Sequence, residues 1–384
     1  MEDVYVVGAA VIKVDEHWEK SLENLMAEPA IRSLDIAGVS SVDQIMVSNL
    51  YGEIFQEQLN LGGILAEEAG LLGAPAMRVE AGGLSSYYAI VSGYQAIRSG
   101  ISKVVLVVGA EKMSDATPEE VLSMGSGEER QDYLGQVGVH LGAEAALLYK
   151  LYMRRYRVSQ ESIAYFSVLD HENASKAPHA QYPFPIKLET VLNSPYLAEP
   201  VHRLEATAPA DGAAALILCS GDIASKLSAP RCRIAGIGAA TDYLVSIERN
   251  DPLDMRALSM ATERALQAAR MVRNDIRLVE LYDSFSIIAP LSLEAAGFAP
   301  KGHATEYAAK DHFTLSGPLP INTFGGLKAR GHPVGATGIY QAAEAYLQLT
   351  EQAGKNQVYN TRAAMLVSMA GLGSGAGVLI LEVA

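Results

Sequence analysis

Two short stretches near the C-terminal end carry residue types and spacing suited to proton chemistry. Asn322-Thr-Phe-Gly-Gly326 is followed by Gly331-His332-Pro333-Val-Gly335-Ala-Thr-Gly338, which sets one histidine among glycines just ahead of an apolar run. Glycine lets backbone approach a ligand closely and takes positive φ readily. The free N–H groups at a helix start favour an anion or a developing oxyanion. A histidine in that position is set for proton transfer or for holding an oxyanion.

The elements that must hold this loop show in the pattern of the whole chain. Tyr5 to Ile12 reads as a strand into a turn, and so does Cys232 to Gly238. Each is followed by an amphipathic helix and a short acidic turn into a strand. The first set is Leu25 to Ala37, then Ser41 to Ser48; the second is Leu258 to Met271, then Asn274 to Tyr282. A glycine-opened helix follows in both, Leu84 to Arg98 and Gly338 to Gln352, and an apolar strand completes each set, Val104 to Gly109 and Met365 to Ser368. Such alternation predicts mostly parallel, helix-covered sheets, and the duplication predicts two related α/β halves. Between Ala116 and about Pro200 the pattern changes. A basic helical stretch, Tyr149 to Arg157, is followed by Ser159, a candidate helix cap, and a proline-bearing loop. This segment reads as an insertion in the first half.

Bulk properties set limits. A chain of 384 residues, 49% hydrophobic with 34 glycines, has the material for two or three domains with substantial cores. The net charge of −14, with acids spread along the chain, argues against a nucleic-acid partner and gives no general attraction to anionic membranes. Cys219 and Cys232 lie in apolar runs without metal-ligand spacing. They read as buried thiols of a reducing compartment, so a cytoplasmic protein without a metal is expected. The N-terminal residues are acidic and strand-like, unlike a signal peptide. The run from Ala363 to Leu381 is long enough to raise the question of a membrane span. Gly371, Gly373, Gly375 and Gly377 break it, and strand, tight turn, strand is the expected reading.

The histidine block resembles that of thiolases, in which Asn-x-x-Gly-Gly precedes Gly-His-Pro-x-Gly-Ala-[Ser/Thr]-Gly. Gly109-Ala-Glu-Lys-Met-Ser114 and Asp211-Gly-Ala-Ala-Ala215 are similar to two further thiolase turns. Leu169 to Ala174 and Tyr282-Asp-Ser-Phe285 look most like archaeal and sterol-carrier-type members. The resemblance covers essentially the whole chain. It implies an α/β, five-layered fold of two βαβαβαββ halves with an inserted loop domain. The boundaries expected are 1–115 plus 190–225 for the first half, 116–189 for the insertion and 226–384 for the second half. It also implies a coenzyme A thioester as substrate or ligand, and a homodimer or larger assembly.

The departures from that family bear on mechanism. Thiolases carry the acyl group on a cysteine at a helix start; here the segment is Val79-Glu-Ala-Gly-Gly83-Leu-Ser85-Ser86, and the cysteine position falls on Gly83. A backbone glycine offers no nucleophile, and Ser85 has no base beside it in the sequence pattern. The position of the second reactive cysteine falls on Ala370. What remains is His332, Asn322 and Tyr282 as candidate catalytic groups, with backbone N–H groups of Gly83 and Leu372 as a candidate oxyanion pocket. Such a set can stabilise a thioester enolate without a covalent intermediate. A related branch resembling this chain in Tyr-Asp-x-Phe, the thiolase-like steroid-CoA aldolases, implies retro-aldol chemistry and a partner bearing an OB-fold and zinc ribbon. Two functions from different classes follow. One is an enzyme of carbon–carbon bond chemistry beside a CoA thioester, either acetyl-CoA acetyltransferase-like or aldol-type. The other is a non-catalytic acyl-CoA-binding or scaffolding subunit.

Overall fold

A computed structural model describes residues 2–384. Nine strands form the main sheet: β1 (Val4–Val11), β2 (Gln44–Ser48), β3 (Ala76–Val79), β4 (Val104–Glu111), β5 (Gly212–Ser220), β6 (Cys232–Thr241), β7 (Leu278–Glu280), β8 (Ala363–Ala370) and β9 (Gly375–Val383). Their spatial order is β3-β2-β4-β5-β1-β6-β9-β8-β7. The duplication is explicit in this order. From the centre outward, the first half runs β1-β5-β4-β2 and the second runs β6-β9-β8-β7. In each, two antiparallel pairings are followed by one parallel pairing. The halves meet where β1 pairs with β6, over only two residue pairs, Tyr5 with Arg233 and Val6 with Cys232.

The expectation of mostly parallel sheets is corrected. Antiparallel pairings outnumber the parallel ones, because the last strand of each half returns between its first strand and the strand just before it in sequence, β4 or β8. In the second half the return is the tight turn of Gly371–Ser374 joining β8 to β9, as the broken apolar run predicts.

Side-chain alternation along the strands builds the layers. Val105 and Val107 of β4 face one cluster, while Leu106 and Val108 face another. On β8, Leu366 shares the first of these clusters, while Met365 and Val367 point away into a third. The shared middle layer holds two helices, α2 (Ser85–Arg98) and α6 (Thr337–Leu349), sandwiched between the half-sheets. Helix α1 (Leu22–Ala37) covers the outer face of the first half. Helix α5 (Arg256–Ala269) covers that of the second. The result is the helix–sheet–helix–sheet–helix stack of a five-layered α/β fold.

Local chemistry fixes the helix ends. Ser21 caps α1 by accepting from Asn24 N–H, and Gly38 closes it in the left-handed region at φ 70°. Further along, α3 (Leu141–Tyr156) contains most of the expected basic stretch, and Ser159 caps α4 (Gln160–Ala174). Asn274 to Tyr282 is strand only over Leu278–Glu280, because a short 3-10 turn occupies Arg273–Asp275. Among the described residues, no helix is long and apolar enough to cross a membrane.

Candidate active site

The histidine loop lies where the second half meets the ends of the first-half strands. Pro333 packs on Gly212 at the start of β5, and a Cβ there would stand 2.8 Å from the proline ring. The same close approach recurs at Gly335 against Asn49 and at Gly338 against Ser86. Ser48 and Ser86 both donate to the carbonyl of Gly335. Glu111 anchors the loop from the other side. Its buried carboxylate accepts from the backbone N–H of Leu50 at 2.5 Å and of Gly335 at 3.2 Å. Burial nevertheless pushes this carboxyl up to about 7, against those hydrogen bonds. Asp211 locks the turn after β4, accepting from Met113 N–H at 2.7 Å and Ser114 N–H at 2.8 Å. Both family-like turns are therefore structural pins for the loop.

His332 is partly exposed, with Nδ1 2.8 Å from the Thr337 hydroxyl. Its surroundings and the neighbouring Arg330 charge pull the imidazole down to about 3, so it is neutral at physiological pH. Arg330 is itself fully buried, 4.9 Å over the Tyr340 ring with its Nε 3.1 Å from Glu344. When Thr337 donates to Nδ1, the proton of the neutral ring sits on Nε2, where it can be given to an oxygen.

Tyr282 stands edge-on to His332, with ring centroids 5.2 Å apart and an interplanar angle of 89°. Its hydroxyl is buried and has no hydrogen-bond partner among the described residues. A Cβ on Gly83 would stand 2.6 Å from Tyr282 Oη and would overlap the Met369 carbonyl oxygen. The phenol thus fills the space that a side chain at Gly83 would need. Burial pushes its pKa well above the ordinary phenol value, and the charge of Glu128 adds to the effect.

Asn322 is placed differently from the expectation. Its Oδ1 accepts from Leu281 N–H at 2.8 Å and its Nδ2 donates to Asp170 at 3.0 Å. Gln341 donates to the Leu281 carbonyl at 2.8 Å, so Leu281 is held on both sides and Tyr282 is aimed by it. With both ends of its carboxamide committed, Asn322 is a positioning residue rather than one that touches substrate. Behind it, the buried carboxyls of Asp170 and Asp283 are hydrogen-bonded to each other. Burial first, then the neighbouring Asp283 charge, pushes Asp170 up.

The expected pair of backbone donors was Gly83 and Leu372. The N–H groups that converge are those of Gly83 and Gly371, not Leu372. Gly371 has φ 49°, which turns its N–H toward Gly83. Leu372 is buried and uses its carbonyl to accept from Arg249 at 2.9 Å. Glu128 Oε2 accepts from both converging N–H groups, at 2.9 Å each. Glu128, in the turn Ser126–Glu128, and its neighbour Glu129 were not among the residues expected from the sequence. The only signal was an acidic pair after Gly125-Ser-Gly127. Thr337 was missed too, although the loop motif contains it.

Other candidates are structural. The Ser85 hydroxyl donates to Gly82 at 2.6 Å and accepts from Ala81 N–H at 2.8 Å. His140 caps α3, and His171 Nδ1 contacts the Phe184 carbonyl. Both cysteines are free and buried, and burial pushes Cys219 up to about 12. Cys219 lies seven residues along β5 from Gly212, roughly 23 Å away at the usual strand rise.

Comparison with known proteins follows the same lines. Residues 4–222 match the thiolase N-terminal domain model, and residues 238–383 match the model for thiolase C-terminal domain-like sequences. The acetyl-CoA acetyltransferase of Methanothermobacter thermautotrophicus is 36% identical over 99% of both chains. Sterol carrier protein 2 of Gallus gallus is 28% identical over 98% of this chain and 71% of its own. Among solved structures, a chain of the Ltp2-ChsH2(DUF35) aldolase superposes with a TM-score of 0.86 at 23% identity, covering 99% of this chain and 98% of that one. The acetyl-CoA acetyltransferase of Syntrophomonas wolfei superposes with a TM-score of 0.75 at 20% identity and full coverage of both.

Proposed function

The chain belongs to the thiolase family, and we propose that it makes or breaks a carbon–carbon bond beside a CoA thioester by an aldol-type step, with no acyl group carried on cysteine. The observation that carries this reading is the Tyr282 phenol seated where a Gly83 side chain would have to be. A thiolase-type step needs a group there that attacks a thioester, holds the acyl chain and leaves again. The chain supplies a phenol instead, beside a neutral imidazole.

The chemistry then follows from two groups. His332, neutral and with Nδ1 engaged by Thr337, gives its Nε2 proton as a hydrogen bond to the thioester oxygen. This stabilises the enolate that forms when the α–β bond breaks. Tyr282 carries the proton to or from the α-carbon. Two further parts of the reading concern assembly and organisation. The exposed edge strand β3 supports a homodimer, since an open edge invites pairing. A partner subunit with an OB-fold and zinc ribbon is the second. The division of the chain at 116–189 and 226 is kept as part of the same proposal.

The test is direct. The protein is incubated with acetoacetyl-CoA plus free CoA, and separately with β-hydroxyacyl-CoA thioesters, and products and intact protein are read by mass spectrometry. The expected result is His332-dependent cleavage of a β-hydroxyacyl-CoA without an acylated protein. Robust thiolysis with an acyl group on Ser85, Cys219 or Cys232 overturns the reading. Silence in both assays with retained CoA-ester binding moves it to the non-catalytic acyl-CoA-binding subunit.

A further inference from the structure

Gly83 and Gly371 present two N–H groups at the place where a thiolase-like site receives a substrate oxygen, and that place is filled by Glu128. Among the described residues, those two donors are the only hydrogen-bond partners of its carboxylate, both on Oε2, which leaves Oε1 unengaged. The carboxylate sits at the tip of a short turn, Ser126–Glu128. The partnerless Tyr282 hydroxyl faces the same Gly83, and the Glu128 charge acts on it. On the Gly371 side lies Glu129, 4% exposed, with neither carboxyl oxygen hydrogen-bonded; its Oε1 would stand 2.7 Å from a Cβ on Gly371. Arg249 fixes the Gly371 turn by donating to the Leu372 carbonyl. Three buried or half-buried polar groups thus converge on one small volume with unused lone pairs or protons.

The aldol-type reading leaves one chemical need unmet. His332 and Tyr282 act at the thioester and the α-carbon, but cleavage also needs a base for the β-oxygen. Burial raises the proton affinity of the Glu128 carboxyl, its two backbone N–H bonds work against that, and they fix its direction, which suits it to take up and return a proton. We propose that Glu128 is a catalytic residue that takes the proton from the β-hydroxyl of a β-hydroxyacyl-CoA, and returns it in the condensation direction. The inference rests on the aldol-type reading above.

The step balances without a further reactant. The β-oxygen loses its proton to Glu128, and its electron pair forms the carbonyl of a released aldehyde or ketone. The bond between the α- and β-carbons breaks, and its electrons pass into the thioester enolate held by His332. The Tyr282 phenol protonates the α-carbon, and the proton taken by Glu128 restores the phenol. One acyl-CoA and one carbonyl compound leave, with no net change of oxidation state and no water consumed.

The test compares the full-length wild-type protein with Glu128→Gln and Glu128→Asp on a small panel of β-hydroxyacyl-CoA thioesters. Two readouts are taken: carbonyl release, and deuterium incorporation at the α-carbon of acetyl-CoA in heavy water. Glutamine keeps an oxygen on the two N–H groups but is no base. The expected result is a kcat for cleavage lowered about 10²- to 10³-fold in Glu128→Gln, with KM changed less than about threefold and deuterium incorporation lowered less than about threefold. Partial recovery in Glu128→Asp is expected. Cleavage by Glu128→Gln at or above the wild-type rate would make the carboxylate a plug of the pocket and overturn the inference. Equal loss of cleavage and exchange would reduce it to a structural group and overturn it as well. A wild-type protein that neither cleaves nor exchanges removes the aldol-type reading itself, a result distinct from normal cleavage by the variant.

Discussion

Restoring a cysteine at Gly83 is the sharpest test of the site's geometry. On the present backbone, any Cβ at residue 83 overlaps the Met369 carbonyl and comes within 2.6 Å of Tyr282 Oη and 3.0 Å of its Cζ. The carbonyl belongs to the end of β8, where Met369 is paired with Ala376, so it cannot swing aside as a side chain would. Overpacking of this kind costs about 1–3 kcal/mol when side chains can give, and the backbone contact places Gly83→Cys at about 2–4 kcal/mol. For 384 residues the unfolding entropy is about 0.8 kcal/mol per degree, so the thermal midpoint should fall by about 2–5 °C. Gly83→Ala should show nearly the same loss, since the first carbon causes it. Adding Tyr282→Phe removes the 2.6 Å contact but not the carbonyl overlap. The double variant should therefore recover about 1 kcal/mol, read as a coupling energy in a double-mutant cycle. Gly83→Cys should not gain thiolysis, because the sulfur would have no room beside the tyrosine. A Gly83→Ala protein with an unchanged midpoint and no coupling to residue 282 would refute the reasoning.

Three further outcomes are expected. Tyr282→Phe should lower β-hydroxyacyl-CoA cleavage about 10²- to 10³-fold while leaving stability unchanged or raised by up to about 1 kcal/mol, because the hydroxyl it removes is buried without a partner; paired kinetics and calorimetry check it. Thr337→Val should lower kcat about tenfold with little change in KM, since His332 loses the partner that sets its tautomer. Glu280 is pushed up to about 8, by burial first and by Glu344 next. The folded state therefore holds a proton that the unfolded state releases above pH 4.5, and this contribution to stability is full below that pH and lost as pH rises toward 8. Denaturant titrations from pH 5 to 8 should show a slope shallower by about 1 kcal/mol per pH unit in Glu280→Gln, which keeps an acceptor for Thr323.

The periodic parts of the chain were legible before any coordinates. Helix α2 begins one residue from the expected Leu84, and α6 begins at Thr337 rather than Gly338. Both lie in the central layer that the duplicated pattern required. Strand direction was not legible, since an apolar run such as Ala213 to Leu218 reads the same whichever way its neighbours point. In the site, the missing nucleophile at Gly83 could be read directly, but the phenol that takes its space could not, because residues 83 and 282 meet only through folding. Asn322 was assigned to chemistry by its motif, and the structure shows its carboxamide committed to Leu281 and Asp170. The Leu372 error has a small cause: which N–H of a glycine turn points inward depends on the φ of Gly371, and spacing does not encode it. Glu128 was invisible because the stretch around it carries no periodicity to say which of its acids faces inward.

The contacts of Gly212, Gly335 and Gly338 have a consequence for how this chain can change. At each of these points a glycine of one half meets the other half with no room for a Cβ of its own. The position of His332 is thus calibrated by the absence of a side chain at each glycine of the seam. Exchanging one half for that of a distant relative would leave every internal core intact and still displace the imidazole, since a single added methyl at any of these glycines pushes the loop outward. The two halves, alike in topology, are bound to evolve as one unit, and chimeras split near residue 226 should fold more readily than they turn over.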